Sequence, residues 1–547
     1  MGERLVRTAA TGVAALCLLP LAAVILAAMQ GTGSSWASLA ATVLPGYALT
    51  TLALAAMVAA GTAAIGTGAA WLVTVCRFPG SRILEVALAL PLAFPAYVLA
   101  YAYTDFLDHP GPVQTALRAV TGWGPRDYWF PEVRSLPGAA AMLVLVLYPY
   151  VYLLARAAFL AQSFGGFTAA RVLGQSPWAA FRRVSLPLAR PAIAGGVILA
   201  VMETIADYGT VAHFGVQTFA TGIYQAWFSM GDRVAAAELS LCLLGVALLL
   251  AMLERIQQGK ARRHPTRTSA APMPRLALRG PAAWAATLAC AIPVIFGFAV
   301  PVLVLGEMAL TAGSERSLAS HLEFAGNSLL LAAIVAGLTL LGALAIGLSA
   351  RLGRDRAGLA LRQVSGLGYA VPGGVIAVGL LVPFGALDNL IDALMGRVFG
   401  LSTGLLLTGS IALIVMACMA RFMAAALNAF DAGAAAVNPS VDAAARTLGR
   451  GPFGMVAAVH LPLMRTSLLT GLLLVFVETM KELPATLILR PFNFDTLAVQ
   501  AHRLASDERL SQAALPSLII MAFGLLPVVL LCRRMTAGGT QSAAQPA

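Results

Sequence analysis

Stretches of roughly 20 apolar residues, the length an α-helix needs to cross a bilayer, recur along the whole 547-residue sequence. Twelve are legible, centred near Leu18, Ala60, Pro95, Val146, Ile198, Leu244, Pro293, Ala336, Val375, Ile414, Leu474 and Gly524. They lack the polar–apolar alternation of barrel strands, so each is expected to be a helix that closes its own backbone hydrogen bonds. Only 11% of the residues are charged, too few to cover a water-facing surface, since soluble domains carry about 25%. The expected fold class is an all-α integral membrane protein with about twelve transmembrane helices. The first run follows a basic start, as a signal peptide would. It is longer than a signal core of about 7–15 residues, and is read as a span.

The net charge of +12 follows topology rather than nucleic acid. With the N-terminus inside, the inner segments hold Arg4, Arg7, Arg77, Arg82, Arg156, Arg171, Arg182, Arg183 and Arg190, then the basic stretch from Arg255 to Arg279. Beyond it come Arg351, Arg354, Arg356, Arg362, Arg421, Arg446, Arg450, Arg465, Arg533 and Arg534. Cytoplasmic loops are enriched in Lys and Arg, so both termini are expected inside and the span count even. The six cysteines and six histidines are scattered, which implies neither a disulfide framework nor a metal site.

A segment without a long apolar run, residues 254–281, divides the chain into halves 1–253 and 282–535; residues 536–547 are expected to be a disordered tail. The halves repeat. Thr168 to Gly174 falls on Ala443 to Gly449, an offset of 275 residues. At the same offset Leu186-Pro187 falls on Leu461-Pro462, Glu203 on Glu478, Asp207 on Glu482 and Gln225-Ala226 on Gln500-Ala501. Earlier blocks match at 277, with Leu52 on Leu329 and Pro95 on Pro372. Six spans per half preserve orientation, so the repeats are expected to be parallel, with a pathway at their seam.

Between the fourth and fifth spans of each half lies an alanine-rich helix signal, a glycine, and Leu-Pro thirteen residues beyond that glycine. Alanine favours helix, glycine permits a sharp bend, and Leu-Pro is expected to open the next membrane helix. One such copy reads as an ordinary surface helix; two at identical spacing point to paired elbows that receive force from a partner. The candidate coupling residues are Ala169, Ala170, Gly174 and Pro187, repeated as Ala444, Ala445, Gly449 and Pro462. In the span after each elbow, Glu203 and Asp207, and again Glu478 and Glu482, are four apart and so share one helix face, with Lys481 adjacent. The sixteen residues from Pro187 to Glu203 correspond to roughly 24 Å of helix. These groups are either pathway or gate residues or ion-pair partners of Lys481 or an arginine.

The pattern Ala-Ala-x-x-x-Gly followed by Leu-Pro resembles the EAA motif of binding-protein-dependent ABC importer permeases. The resemblance covers nearly the whole chain and implies the type I, MetI-like fold, with each motif forming a coupling helix seated in a groove of an ATPase subunit. It further implies two ATPase copies, an extracytoplasmic substrate-binding protein, a bacterial inner-membrane location and no nucleic-acid partner. The motif's leading glutamate is absent: Thr168 and Ala443 stand in its place, with Asp442 just before the second. That departure calls the usual salt bridge to the ATPase into question and leaves the elbow intact. The lysines, Lys260 and Lys481, do not fall in a Gly-x-x-x-x-Gly-Lys phosphate loop. The chain is therefore expected to be no enzyme and to hold no cofactor, with ATP consumed by a separate subunit.

The stretches from Glu203 to Val211 and Glu478 to Thr486, with Gln217 to Thr221 and Phe492 to Leu497, resemble the fused twelve-span permeases of ferric-iron importers. Carboxylates suit a hard trivalent cation. Other solutes (thiamine, a polyamine, an oxyanion) and a secondary transporter are the alternatives. The longest outer loop, about Thr104 to Ser135, carries Trp123, Tyr128, Trp129 and Phe130, either interfacial anchors or a landing surface for a binding protein.

Overall fold

The computed structural model describes residues 2–31, 33–162, 164–262, 276–311, 318–353, 356–435 and 437–541; for some of these only the backbone is described. Among them, eleven helices are long and apolar enough to cross a membrane, and they fall on eleven of the twelve expected runs. The run at Pro95 is the exception. Its two helical pieces, Ser81–Ala93 and Ala96–Thr121, meet at 94°, so a single straight span there is corrected to a broken one. Proline is the cause: it disfavours helix in the residue before it, and Phe94 is extended with ψ 136°. The second half repeats the break. A 3₁₀ turn, Gly366–Ala370, precedes Pro372, and helix Gly373–Phe399 starts directly after it, as Ala96–Leu107 does after Pro95.

Packing divides the chain into two compact units that do not follow the sequence halves: residues 1–45, 219–248 and 314–500, and residues 46–218, 249–313 and 501–547. In the first unit, helix Gly2–Ala28 lies against Leu318–Gly353, Gly373–Phe399 and Ala412–Ala435, all from the second half. The close approach has a local reason, since a Cβ on Gly379 would stand 2.2 Å from the Pro20 carbonyl oxygen. Tyr224, also from the first half, donates its hydroxyl to the Pro484 carbonyl. In the second unit, helices Val300–Thr311 and Leu510–Gln541 pack against first-half elements, with Gly524 set against the Ala93 carbonyl. Arg134 grips Glu508 through two hydrogen bonds of 2.7 and 2.9 Å, and Tyr101 shares a 2.9 Å hydrogen bond with His502 Nδ1. Small residues that let helix backbones approach, and polar groups paired between helices, are what hold helices together in lipid.

The segment read as a linker is partly structured. Helix Arg233–Arg262 runs into its start, and Leu276–Ala277 pairs in parallel with Cys76–Arg77. Likewise helix Leu510–Gln541 continues into the expected tail, through Gly538-Gly539, although glycine is a poor helix former.

One ion pair recurs in both halves with its charges exchanged. Arg156 binds Glu85, and at the matching positions Asp431 binds Arg362. Each fastens a short helix, Ser81–Ala87 or Arg356–Ser365, to the fourth span of its half. The first pair is the more enclosed, its side chains 12% and 16% exposed against 36% and 34% in the second. Thermal unfolding in detergent should therefore show Glu85→Gln costing about 3 kcal/mol, as for a buried pair robbed of one partner. Arg362→Gln should cost under about 1 kcal/mol, as for an exposed pair. Equal losses would contradict the difference in burial.

Candidate functional site

The first elbow begins with helix Phe164–Val172. Its end is a Schellman closure, in which Gly174 N–H donates to the Arg171 carbonyl (3.1 Å) and Gln175 N–H to the Ala170 carbonyl (3.0 Å). That closure needs a left-handed residue, and Gly174 has φ 82°. Ser176 then caps a new helix, accepting from the Ala179 N–H at 3.1 Å with Pro177 in the first turn. Arg171 donates to the Gln175 carbonyl and Arg183 to the Gln175 side chain, so two cations brace the bend from within.

The second elbow reproduces this at the 275-residue offset: helix Pro439–Thr447, Gly449 with φ 75°, and the Arg450 N–H donating to the Ala445 carbonyl at 3.0 Å. The side chain of Thr168, and that of Arg446, lie outside the described residues. Leu-Pro opens the α-helix of the next span as expected, but helical backbone already leads into it. Helix begins at Pro177 and Pro452 and passes through a π-turn, Phe181–Ser185 or Val456–His460, into Leu186–Ala206 or Leu461–Lys481. Leu186 N–H reaches five residues back to the Phe181 carbonyl, and Leu461 to Val456. Pro187 and Pro462 have no N–H to continue the ladder, and the helix widens just ahead of them.

Each elbow carries an apolar tip that the sequence reading passed over. Leu173 is 79% exposed and Leu448 81%, each directly before its glycine, with Val172 equally bare in the first. Leu-Gly at both positions was the available signal. Beneath the tips the seating differs. The first elbow rests on aromatic rings, with Trp71 4.4 Å from Phe181 and 5.7 Å from Phe167 between centroids. Leu276 and Leu278 pack on the same cluster. The second rests on Asp442, whose two oxygens meet Arg351 Nε at 2.7 Å and His460 Nε2 at 2.8 Å. Burial alone would raise the Asp442 carboxyl, but the hydrogen bonds from His460 and Arg351 outweigh it and hold the group below its ordinary value.

Residues 62–263, which include the first elbow and the spans on either side of it, match the family described as the binding-protein-dependent transport system inner membrane component. The chain carries this permease domain. It is 24% identical to the Fe(3+)-transport system permease protein FbpB 2 of Haemophilus influenzae, over 88% of each chain. It is 26% identical to a probable ABC transporter permease protein, y4fN, of Sinorhizobium fredii, over 85% of this chain and 83% of that one. It is 28% identical to the molybdenum transport system permease protein ModB of Escherichia coli, over 33% of this chain and 78% of that one. The chain is thus a multi-pass membrane protein whose residues 62–263 match a family of permeases that work with ATPase and substrate-binding subunits.

The charged groups at the far end of the permease's fifth spans are not arranged as their spacing suggests. Helix Leu186–Ala206 ends before Asp207, which turns extended and caps the short helix Gly209–His213. Its carboxylate accepts from the Thr210 N–H and hydroxyl, both at 3.0 Å, and from the Val211 N–H at 3.2 Å. The shared helix face of Glu203 and Asp207 is therefore lost. Glu482 behaves alike, ending Leu461–Lys481 and accepting from the Ala485 N–H at 2.9 Å. It also pairs with Arg421 at 2.8 Å. Arg421, counted from sequence among the cytoplasmic cations, instead sits inside the span Ala412–Ala435. Lys481 pairs with Glu478 along its own helix at 2.9 Å. Among the described residues, no group of three or more His, Cys, Asp or Glu side chains has metal-binding geometry.

A Cβ on Gly174 or Gly449 would meet nothing within 4 Å, so substitution acts through backbone strain alone. Alanine in a left-handed conformation costs roughly 1–2 kcal/mol, and asparagine tolerates it better. ATP-driven uptake into proteoliposomes should fall in the order Gly, Asn, Ala, Val at both positions together. An alanine pair outperforming the asparagine pair would show that the left-handed turn is not what the elbow requires.

Proposed function

We propose that this chain is the membrane-spanning subunit of an ATP-driven, binding-protein-dependent importer of ferric iron. The observation that carries the substrate is the likeness to an Fe(3+)-transport permease over 88% of both chains, including both halves. One chain supplies two elbows, so one copy works with two ATPase subunits. The apolar tips Leu173 and Leu448 enter a groove on each subunit, while Ala169, Ala170, Gly174 and Pro187, with Ala444, Ala445, Gly449 and Pro462, shape the two bends. ATP is bound and split on those partners, and this chain holds no cofactor of its own.

The charge bias supports an orientation with both termini and both elbows on the cytoplasmic side. The loop after the third span then faces the substrate-binding protein. It presents Trp129, 85% exposed, beside Trp123 stacked on Tyr128 at 5.9 Å. Asp108, His109, Tyr128, Glu132 and Arg134 line a cavity of about 310 Å³ in this same loop region. Along the pathway, Glu203 and the Glu478–Lys481 pair are the charged residues in the outer part of the two fifth spans, and Asp207 and Glu482 hold the turns at their outer ends.

A second reading, import of an oxyanion, is favoured by the match to a molybdenum transport permease over 78% of that protein. Uptake of labelled ferric iron and labelled molybdate, compared in cells with and without this chain, separates the two. Loss of iron uptake alone is expected; loss of molybdate uptake alone would replace the proposed substrate. Docking is tested independently of substrate. The pair Leu173→Glu and Leu448→Glu should abolish uptake and ATPase co-purification while leaving membrane insertion unchanged, and co-purification at the normal level would refute the docking role of the tips.

A further inference from the structure

We propose that Arg351, Asp442 and His460 are positioning residues that seat the second docking elbow by a charge-based clamp with no counterpart among the described residues under the first. The inference rests on the docking reading of the elbows and adds the chemistry that holds one of them.

The repeat makes the contrast exact position by position. At the 275-residue offset Asp442 stands where the first half has Phe167, and His460 where it has Ser185; at 277, Arg351 stands where it has Thr74. In the first half those positions do not form a polar cluster. Phe167 belongs to the rings around Trp71, and Thr74 donates to the Ala70 carbonyl of its own helix at 2.7 Å. In the second half the three side chains converge. Arg351 Nη1 donates to the Ala434 carbonyl and Nη2 to the Val437 carbonyl, both at 2.8 Å, while its Nε meets Asp442 at 2.7 Å. Asp442 holds His460, which is 1% exposed and ends the π-turn leading into the fifth span. One guanidinium therefore ties together the ends of Leu318–Gly353 and Ala412–Ala435 and the start of Pro439–Thr447, and Asp442 relays the tie to Val456–His460.

Both Asp442 oxygens are occupied within this cluster and the residue is only 9% exposed. The acid that stands nearest the motif's missing glutamate is thus turned inward, and serves the seat of the elbow rather than its docking face. A planar guanidinium bonded to three acceptors is a more rigid fastening than apolar packing, because its fork fixes direction as well as distance. The two docks accordingly rest on different supports, aromatic rings under one and a mainly aliphatic cluster fastened by an ionic clamp under the other.

The test uses the full importer, with its ATPase subunits, in lipid nanodiscs and a background in which the six native cysteines are replaced. A nitroxide is placed at Leu448→Cys or, separately, at Leu173→Cys. Asp442→Asn should raise nitroxide mobility at position 448 and leave position 173 unchanged, and should lower ATP-driven uptake about tenfold, since losing one partner of a buried ion pair strands the others. Arg351→Lys keeps the charge but cannot bond all three acceptors, and should give an intermediate value of both readouts; it carries the test should Asp442→Asn fail to assemble. Unchanged mobility at 448, an equal rise at both positions, or normal uptake from a loosened elbow would each overturn the proposal. Leu448→Glu in the same preparation separates the two layers of inference. If it abolishes uptake while Asp442→Asn does not, the clamp is refuted and docking stands; if neither variant affects uptake, the docking reading itself has failed.

Discussion

A backbone group left without a partner in hydrocarbon costs several kcal/mol, so a chain with this many apolar runs has to remain helical wherever lipid surrounds it. Departures from the helix are then confined to places where protein supplies the missing hydrogen bonds, and those places are where this molecule bends. At the 94° break the chain turns at Pro95. At the elbows, glycines with φ 82° and 75° let the backbone close on itself. At the ends of the fifth spans, the Asp207 and Glu482 carboxylates take over the first N–H groups of Gly209–His213 and Pro484–Leu489. Carboxylates used in this way are as much backbone caps as charges.

The internal repeat preserves geometry more faithfully than chemistry. Elbow, π-turn and fifth span recur at a constant offset in both halves. The residues that support them do not. Arg156–Glu85 reappears as Asp431–Arg362, with the charges reversed. The ring cluster around Trp71 gives way to Val6, Leu348, Phe430, Met455 and Met464, with the Asp442 ion pairs at its edge. A contact survives such replacement when what matters is that two helices are fastened, since either polarity of an ion pair fastens them equally. Reversal has a further physical consequence: the short helix of one half brought against the fourth span of the other would set Arg362 against Arg156 and Glu85 against Asp431. Like charges in contact repel, so only the observed pairings are attractive.

Span number and the repeat were legible because both are written in features the bilayer enforces, namely apolar length and a register held over many residues. Eleven of the twelve runs are unbroken helices, and the exception is the run with Pro95 at its centre. The elbows were legible from Ala-Ala-x-x-x-Gly because left-handed backbone leaves glycine as its trace. What stayed hidden depends on partners remote in sequence. No periodicity announces that Gly2–Ala28 packs against the second half, since Gly379 shows its purpose only once Pro20 is beside it. Arg421 read as a cytoplasmic cation because positive charge is usually a loop signal; Glu482, sixty-one residues on, is what allows it inside a span. The i, i+4 spacing of Glu203 and Asp207 misled for a simpler reason, because spacing implies a shared face only while the helix continues, and here it ends between them.

Continuity of the fifth span joins the two ends of the site. From Leu461 to Lys481 there are 21 residues without a break, about 30 Å at 1.5 Å per residue. One end follows directly on the π-turn that holds His460 against Asp442, and the other ends on the carboxylate that holds Arg421 and the next turn. The first half builds the same rod, from Leu186 to Ala206, with Phe181 in the ring cluster at one end and Asp207 at the other. A helix whose backbone hydrogen bonds are closed along its length transmits displacement along its axis with little loss, and deforms where that ladder is weakest. In both rods the ladder is weakened at the π-turn beside the elbow, and in the first also at Pro191, which has no N–H to donate. Motion of an elbow is therefore divided there, between bending the π-turn and shifting the rod with its capped turn. How firmly the elbow is tied across that turn sets the division, which places the mechanical difference between the two halves in the Asp442–His460 bond and the Trp71–Phe181 contact that span it.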